Sequence, residues 1–171
     1  MKLEDANNIV TELLEFSKLG KHINFLDVCG SIRRKQPEVN DIDIVLIQKD
    51  EASYQFGDET LDETIKKLHM GEKEQLMAGD KIKRFFYKGI SIDLYLATPT
   101  TYSTLRLIRT GSKEHNIRLT TIAKMRGQKL FANGGGLCKM NGDEVIYLIA
   151  DKEDEILQSL LGRIPMPEER S

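Results

Sequence analysis

The run Asp41-Ile42-Asp43-Ile44-Val45-Leu46-Ile47 constrains this chain more than any other stretch. Its β-branched, apolar residues predict a strand largely buried in a sheet. Side chains alternate along a strand, so Asp41 and Asp43 share one face while Ile42 and Ile44 share the other. Burying two like charges together is costly unless a cation lies between them, and carboxylate oxygens suit Mg²⁺. Taken alone, the pair also fits two solvent-facing aspartates on a half-exposed strand.

The segment upstream narrows the choice. Asn24 to Cys29 reads as a short strand that runs into Gly30-Ser31-Ile32-Arg33-Arg34. Glycine allows a close backbone approach, and N–H groups at a helix start bind phosphate. The Ser31 hydroxyl adds a donor, and guanidinium groups match phosphate oxygens two at a time. Gly-Ser-x-Arg-Arg followed seven residues later by Asp-x-Asp therefore joins a triphosphate site to a site for its metals. Asp93 supplies a third carboxylate from the alternating stretch Ser91-Ile92-Asp93-Leu94-Tyr95.

The remaining pattern gives the order of elements. Apolar residues at helical spacing predict a helix over 3–19, closed by Gly20, and another over 60–70. Residues 81–87 and 90–97 read as strands joined by the two-residue turn Lys88-Gly89. After Pro99 come helices at 100–110 and 115–126, short strands near 137–140 and 145–148, and a last helix at 153–161. The composition shifts near Pro99, which divides the chain into domains at 1–100 and 101–171. The expected class is α+β: a mixed sheet with helices on one face, then a small, mostly helical unit with a short β-element.

Composition sets limits on function. The 171 residues are 40 % hydrophobic and 30 % charged, with no apolar run long enough for a membrane span. With no signal-peptide pattern at Met1–Asp5, the expected setting is intracellular and cytoplasmic, either in a cell's own protein or in one that a virus encodes. Cys29 and Cys138 lie far apart with no zinc-ligand spacing around them. Net charge is −2, yet residues 106–129 hold seven basic residues against one acid. Such a segment binds phosphates locally whatever the total charge.

Gly30-Ser31-x-Arg33-Arg34, Asp41-x-Asp43 and Asp93 resemble the palm of a family X DNA polymerase, the group of polymerase beta. Thr110-Gly111-Ser112-Lys113-Glu114-His115-Asn116 resembles that family's nucleotide segment, and the end from Glu155 to Arg170 resembles its thumb terminus. The resemblance implies a nucleotidyltransferase-type palm over 1–100 and a thumb over 101–171, in a minimal form like the family's reduced viral enzyme. It implies that Asp41, Asp43 and Asp93 are catalytic and bind two Mg²⁺ ions, with Mn²⁺ as an alternative. It places the nucleotide at Gly30, Ser31, Arg34, Asn40, Gly111, Ser112 and Asn116. Gapped or primed DNA falls to Arg109, Lys113, His115, Arg118, Lys124 and Arg126. The implied partners are DNA and nucleoside triphosphates, the implied state is a monomer, and no membrane is involved. Several positions depart from the family: Ile108-Arg109 replaces a frequent aromatic pair, Asn40 a glycine, Thr120 an arginine and Ser91 a basic residue, and the stretch Asn133–Gly136 differs from the usual thumb sequence.

Two other functions fit parts of the pattern. An untemplated nucleotidyltransferase acting on an RNA end, a protein or a small molecule shares the metal site but has no need of a basic second half. A non-catalytic nucleic-acid-binding module has little need of three carboxylates.

Overall fold

The computed structural model describes every residue except Phe56 and Ser171. A five-stranded sheet with strand order β1-β2-β5-β4-β3 forms the first half. Its strands are β1 (Ile23–Val28), β2 (Asp41–Gln48), β3 (Met77–Ala78), β4 (Ile82–Tyr87) and β5 (Ile90–Leu96). The central pair, β2 and β5, runs parallel, with Asp41 beside Ser91, Asp43 beside Asp93 and Val45 beside Tyr95. All other neighbours are antiparallel. The turn joining β4 to β5 is Lys88-Gly89, both at positive φ, as a two-residue hairpin turn requires.

The even-numbered side chains of β2 and β5 form the main core. Ile42, Ile44, Leu46, Ile92 and Leu94 are fully buried with Phe85 of β4. They pack against Ala6, Val10 and Leu13 near the N-terminus, and against Leu61 and Ile65 of α3 (Leu61–His69). α3 begins where Thr60 and Glu63 satisfy each other's backbone N–H groups, a capping box.

The helix expected over 3–19 does not run through. α1 (Leu3–Thr11) widens into a π-turn at Glu12–Phe16 and gives way to a 3₁₀ turn at Lys18–His22. Ser17 ends it: its hydroxyl donates to the Leu13 carbonyl at 2.5 Å and accepts the Leu19 N–H at 3.3 Å. Such local bonds compete with helix continuation. Helices also lie on both faces of the sheet rather than one. α4 (Tyr102–Thr110) packs through Leu105 on Val45, Tyr95 and Cys29, on the odd-numbered face.

The second half holds α4, α5 (Lys113–Met125), α6 (Glu153–Leu161) and a three-stranded antiparallel sheet, β6 (Gln128–Phe131), β7 (Gly136–Asn141) and β8 (Glu144–Ala150). It is therefore less helical than the sequence predicts. Strand β6 is only four residues long and shows no clear alternation beyond Leu130 inward and Lys129 outward. Leu107, Leu119, Ala123, Leu130, Leu137, Ile156, Leu157 and Leu160 make its separate core.

A buried ionic cluster joins the two halves. Glu153, 3 % exposed, accepts both guanidinium nitrogens of Arg33, at 2.9 and 3.0 Å. It also takes Arg170 at 2.5 Å and lies 3.1 Å from Arg106. Burial alone would raise the Glu153 carboxyl, but Arg33 and Arg170 more than offset it and hold it below the usual carboxylate range. Arg33, expected to add charge at a phosphate site, thus turns inward instead. Replacing Glu153 with Ala leaves Arg33 and Arg170 buried without their anion. A loss of about 3–5 kcal/mol in unfolding free energy by urea titration is expected, with Glu153→Gln losing less; an unchanged midpoint for Glu153→Ala would contradict this role.

Candidate active site

The parallel register of β2 and β5 brings the three predicted aspartates onto one face. Asp43 and Asp93 are direct neighbours, and Asp41 lies one turn of the pleat away beside Ser91. Asp41 is exposed, Asp43 is half-buried, and Asp93 is 2 % exposed. Further along the same face, Val45 and Tyr95 are covered by α4. Asp41 and Asp43 remain open to a cleft of about 660 Å³.

Charge accumulates in this corner. Burial, and then the neighbouring charge of Asp41, push the Asp43 carboxyl up to about 6. Tyr95 lowers it in part through a hydrogen bond, Asp93 raises it further, and Arg109 lowers it. Asp93 is saturated instead. Arg84 stands opposite it across the β4–β5 pair and donates Nε to Oδ1 at 2.6 Å and Nη2 to Oδ2. The Ser91 hydroxyl lies 3.3 Å from Oδ1 and the Tyr95 hydroxyl 3.2 Å from Oδ2.

The predicted nucleotide residues line the same cleft. Gly30 begins the single-turn helix α2 (Gly30–Arg33), which is tied to β2 by a Cys29 N–H to Asp43 carbonyl bond of 2.8 Å. Gly30 has φ +56°, and a Cβ there would sit 2.2 Å from Asp43 Oδ2, so only glycine fits. The Ser31 Oγ is buried with no partner among the described residues. Arg34 reaches across the cleft to the Thr110 carbonyl. Gly111, at φ +67°, lets the Arg34 guanidinium pass, since a Cβ there would lie 3.0 Å from its Nη1. The Gly111–Ser112 peptide is cis. Asn40 lines the rim, and Asn116 leaves Oδ1 without a partner among the described residues while its amide donates to the Ile108 carbonyl at 2.8 Å. The Ser112 hydroxyl caps α5, accepting the His115 N–H at 3.1 Å.

The predicted DNA residues divide. Lys113, Arg118, Lys124 and Arg126 are exposed, although Arg126 also donates to the Ser159 carbonyl at 2.7 Å. Arg109 lies over the Tyr95 ring, 4.1 Å from its centre, at the edge of the cleft. His115 is not at the surface. It is 5 % exposed, and burial, reinforced by the charges of Arg170, Arg118 and Arg163, lowers it to about 4 and keeps it neutral.

Among the described residues, no three carboxylate, histidine or cysteine side chains converge as a ready-made cation cage. The donor set nevertheless suits a hard divalent cation. Asp41 and Asp43 present oxygens to the cleft, and their mutual repulsion is what a cation relieves. Asp93 is withheld by Arg84. Sequence reasoning overlooked Arg84, although the two-residue turn at Lys88-Gly89 already sets Arg84 opposite Asp93 by counting.

No family model matches the chain. It is 29 % identical over 133 residues, 75 % of its length, to the DNA polymerase/3′-5′ exonuclease PolX of Bacillus subtilis (strain 168). The chain spans 22 % of the length of that protein. No helix among the described residues is long and apolar enough to cross a membrane.

A raised carboxyl in the folded state means that the ionised form opposes folding. That penalty is full above the folded pKa and absent below the unfolded one. Asp43→Asn is therefore expected to stabilise the cation-free protein by about 2 kcal/mol at a pH of about 7.5 and by nothing at a pH of about 3.5. Thermal melts across pH read this directly; equal melting temperatures for the two proteins at the higher pH would contradict it.

Proposed function

We propose that this chain transfers a nucleotide from a nucleoside triphosphate to the 3′-hydroxyl of a DNA primer, directed by a template, with release of pyrophosphate. The observation that carries the reading is the in-register pairing of Asp43 with Asp93 beside the Gly30–Ser31 turn. It sets Asp41 and Asp43 in one cleft with a set of phosphate donors, and Asp93 directly beside Asp43 beneath it. The similarity to a protein named as a DNA polymerase supports the same reading. In this assignment residues 1–100 form the palm and 101–171 the thumb.

Asp41, Asp43 and Asp93 would hold two Mg²⁺ ions. When bound, the ions acidify the primer hydroxyl and neutralise the triphosphate and the leaving pyrophosphate. The chain's own groups do the rest. The Ser31 hydroxyl, unpartnered in the cleft, donates to a phosphate oxygen, and the backbone at Gly30 approaches the same group closely. Arg34 adds a fixed positive charge across the cleft. Asn116 directs its free Oδ1 toward the incoming base, and Gly111 leaves room beside the sugar. The primer oxygen forms a bond to the α-phosphorus, the bond to the β-phosphate oxygen breaks, and a carboxylate oxygen of Asp93 takes the hydroxyl proton, directly or through water.

Lys113, Arg118, Lys124 and Arg126 supply the duplex contact. Being exposed and few, they give weak, salt-sensitive binding. Synthesis would then be short and distributive, as in filling small gaps.

Incubation with a gapped duplex, all four deoxynucleotides and Mg²⁺ is expected to give template-matched extension, reduced at least 1,000-fold, an order-of-magnitude figure, by Asp43→Ala or Asp93→Ala. Untemplated tailing would move the reading to a terminal nucleotidyltransferase. Absence of any extension, with the aspartate variants equal to the wild type, would leave a non-catalytic binding module.

A further inference from the structure

Both carboxylate oxygens of Asp93 are engaged. An ionised carboxylate has about four lone-pair positions. Arg84 fills one on each oxygen, the Ser91 hydroxyl lies against Oδ1, and the Tyr95 hydroxyl, which also serves Asp43, lies against Oδ2. No cation can reach Asp93 unless one of these donors leaves. Ser91 and Tyr95 sit on β5 itself, and Tyr95 is 7 % exposed beneath α4 and Arg109. Arg84 differs from both. Its side chain is 46 % exposed, while its strand neighbours Lys83 and Phe85 are buried on the opposite face. The guanidinium can therefore swing into water without disturbing the core.

Charge explains why it is there. Asp93 is buried beside Asp43, and Asp41 lies two residues earlier on β2. Without a cation, three carboxylates so placed need a positive partner. The fork of Arg84 meets that need for the most buried of them, and the guanidinium is itself held more firmly protonated by Asp93.

We propose that Arg84 is a positioning residue that stands in for a divalent cation at Asp93 and must be displaced before that cation binds. The proposal rests on the carboxylates being a two-metal site. It makes the two cation positions unequal. The first, at Asp41 and Asp43, faces the open cleft, and no two-bond ion pair among the described residues occupies it. The second, at Asp93, is weakened by loss of a two-bond ion pair and by repulsion from the guanidinium. Loading of the second ion is thereby coupled to movement of one surface arginine on β4.

Mn²⁺ titration of the full chain, without nucleotide or nucleic acid and read by the electron paramagnetic resonance of the free ion, tests this. Wild-type protein is expected to take up one ion more tightly than a second. Arg84→Met is expected to tighten the second on the order of tenfold. Arg84→Lys, whose single ammonium cannot fill both oxygens, is expected to fall between. Adding Asp93→Asn to Arg84→Met should abolish the gain. Arg84→Met should also melt lower than wild type without Mn²⁺ and recover when Mn²⁺ is added, a recovery that a mere folding defect would not show. Identical second-ion affinities in wild type and Arg84→Met would overturn the stand-in role while leaving the metal site intact. No uptake by wild type, with Asp41→Asn equal to it, would overturn the metal site and the stand-in role together.

Discussion

Three carboxylates on adjacent rungs of two parallel strands repel one another, and much of the surrounding structure answers that repulsion. Asp43 and Asp93 are neighbours because β2 and β5 run parallel in register. Neither can turn away, since the opposite face of both strands is filled by Ile42, Ile44, Ile92 and Leu94. The sheet thus forces like charges together, and the energy of burying the apolar face holds them there. Arg84 and Tyr95 satisfy the oxygens of Asp93. Asp43 feels only the more distant charge of Arg109, and its carboxyl rises to about 6, with burial as the main cause.

The cleft has a second wall, and the ionic cluster at Glu153 keeps it in place. Arg33 belongs to the turn that carries Gly30 and Ser31, Arg106 to α4, and Arg170 to the end of the chain. All three meet one buried carboxylate on α6. The Ser112 N–H is also bonded to the Arg170 carbonyl at 3.1 Å. The segment carrying Gly111 and Asn116 is therefore fixed relative to the carboxylates through the C-terminal residues and not only through the short link after β5. Two separate apolar cores could slide against each other; a desolvated carboxylate with three guanidinium partners tolerates little displacement.

Much of this was legible in the sequence. The alternation of Asp41 and Asp43 with Ile42 and Ile44 gave the strand and the shared face, and the Lys88-Gly89 turn gave the hairpin. Both are local, with strict side-chain periods. What escaped depends on contacts distant in the chain. Arg33 and Arg34 look alike in sequence, yet Arg34 reaches into the cleft and Arg33 pairs with Glu153, 120 residues away. His22 is buried with its ring nitrogens 2.9 Å from the Tyr54 and Thr64 hydroxyls, 32 and 42 residues away. His115 sits among basic residues and reads as one of them, until the packing of α5 turns it inward. Arg84 had a readable signal that was passed over, since the hairpin register alone sets it against Asp93.

The most direct test of this account is a crystal structure with Mn²⁺ and a non-hydrolysable deoxynucleoside triphosphate, located by anomalous scattering. The account predicts two Mn²⁺ peaks, both touching Asp41 and Asp43 and one of them also touching Asp93, with the triphosphate against Gly30 and Ser31 and Arg84 released. Mn²⁺ and triphosphate bound away from these carboxylates, with Arg84 still on Asp93, would contradict it.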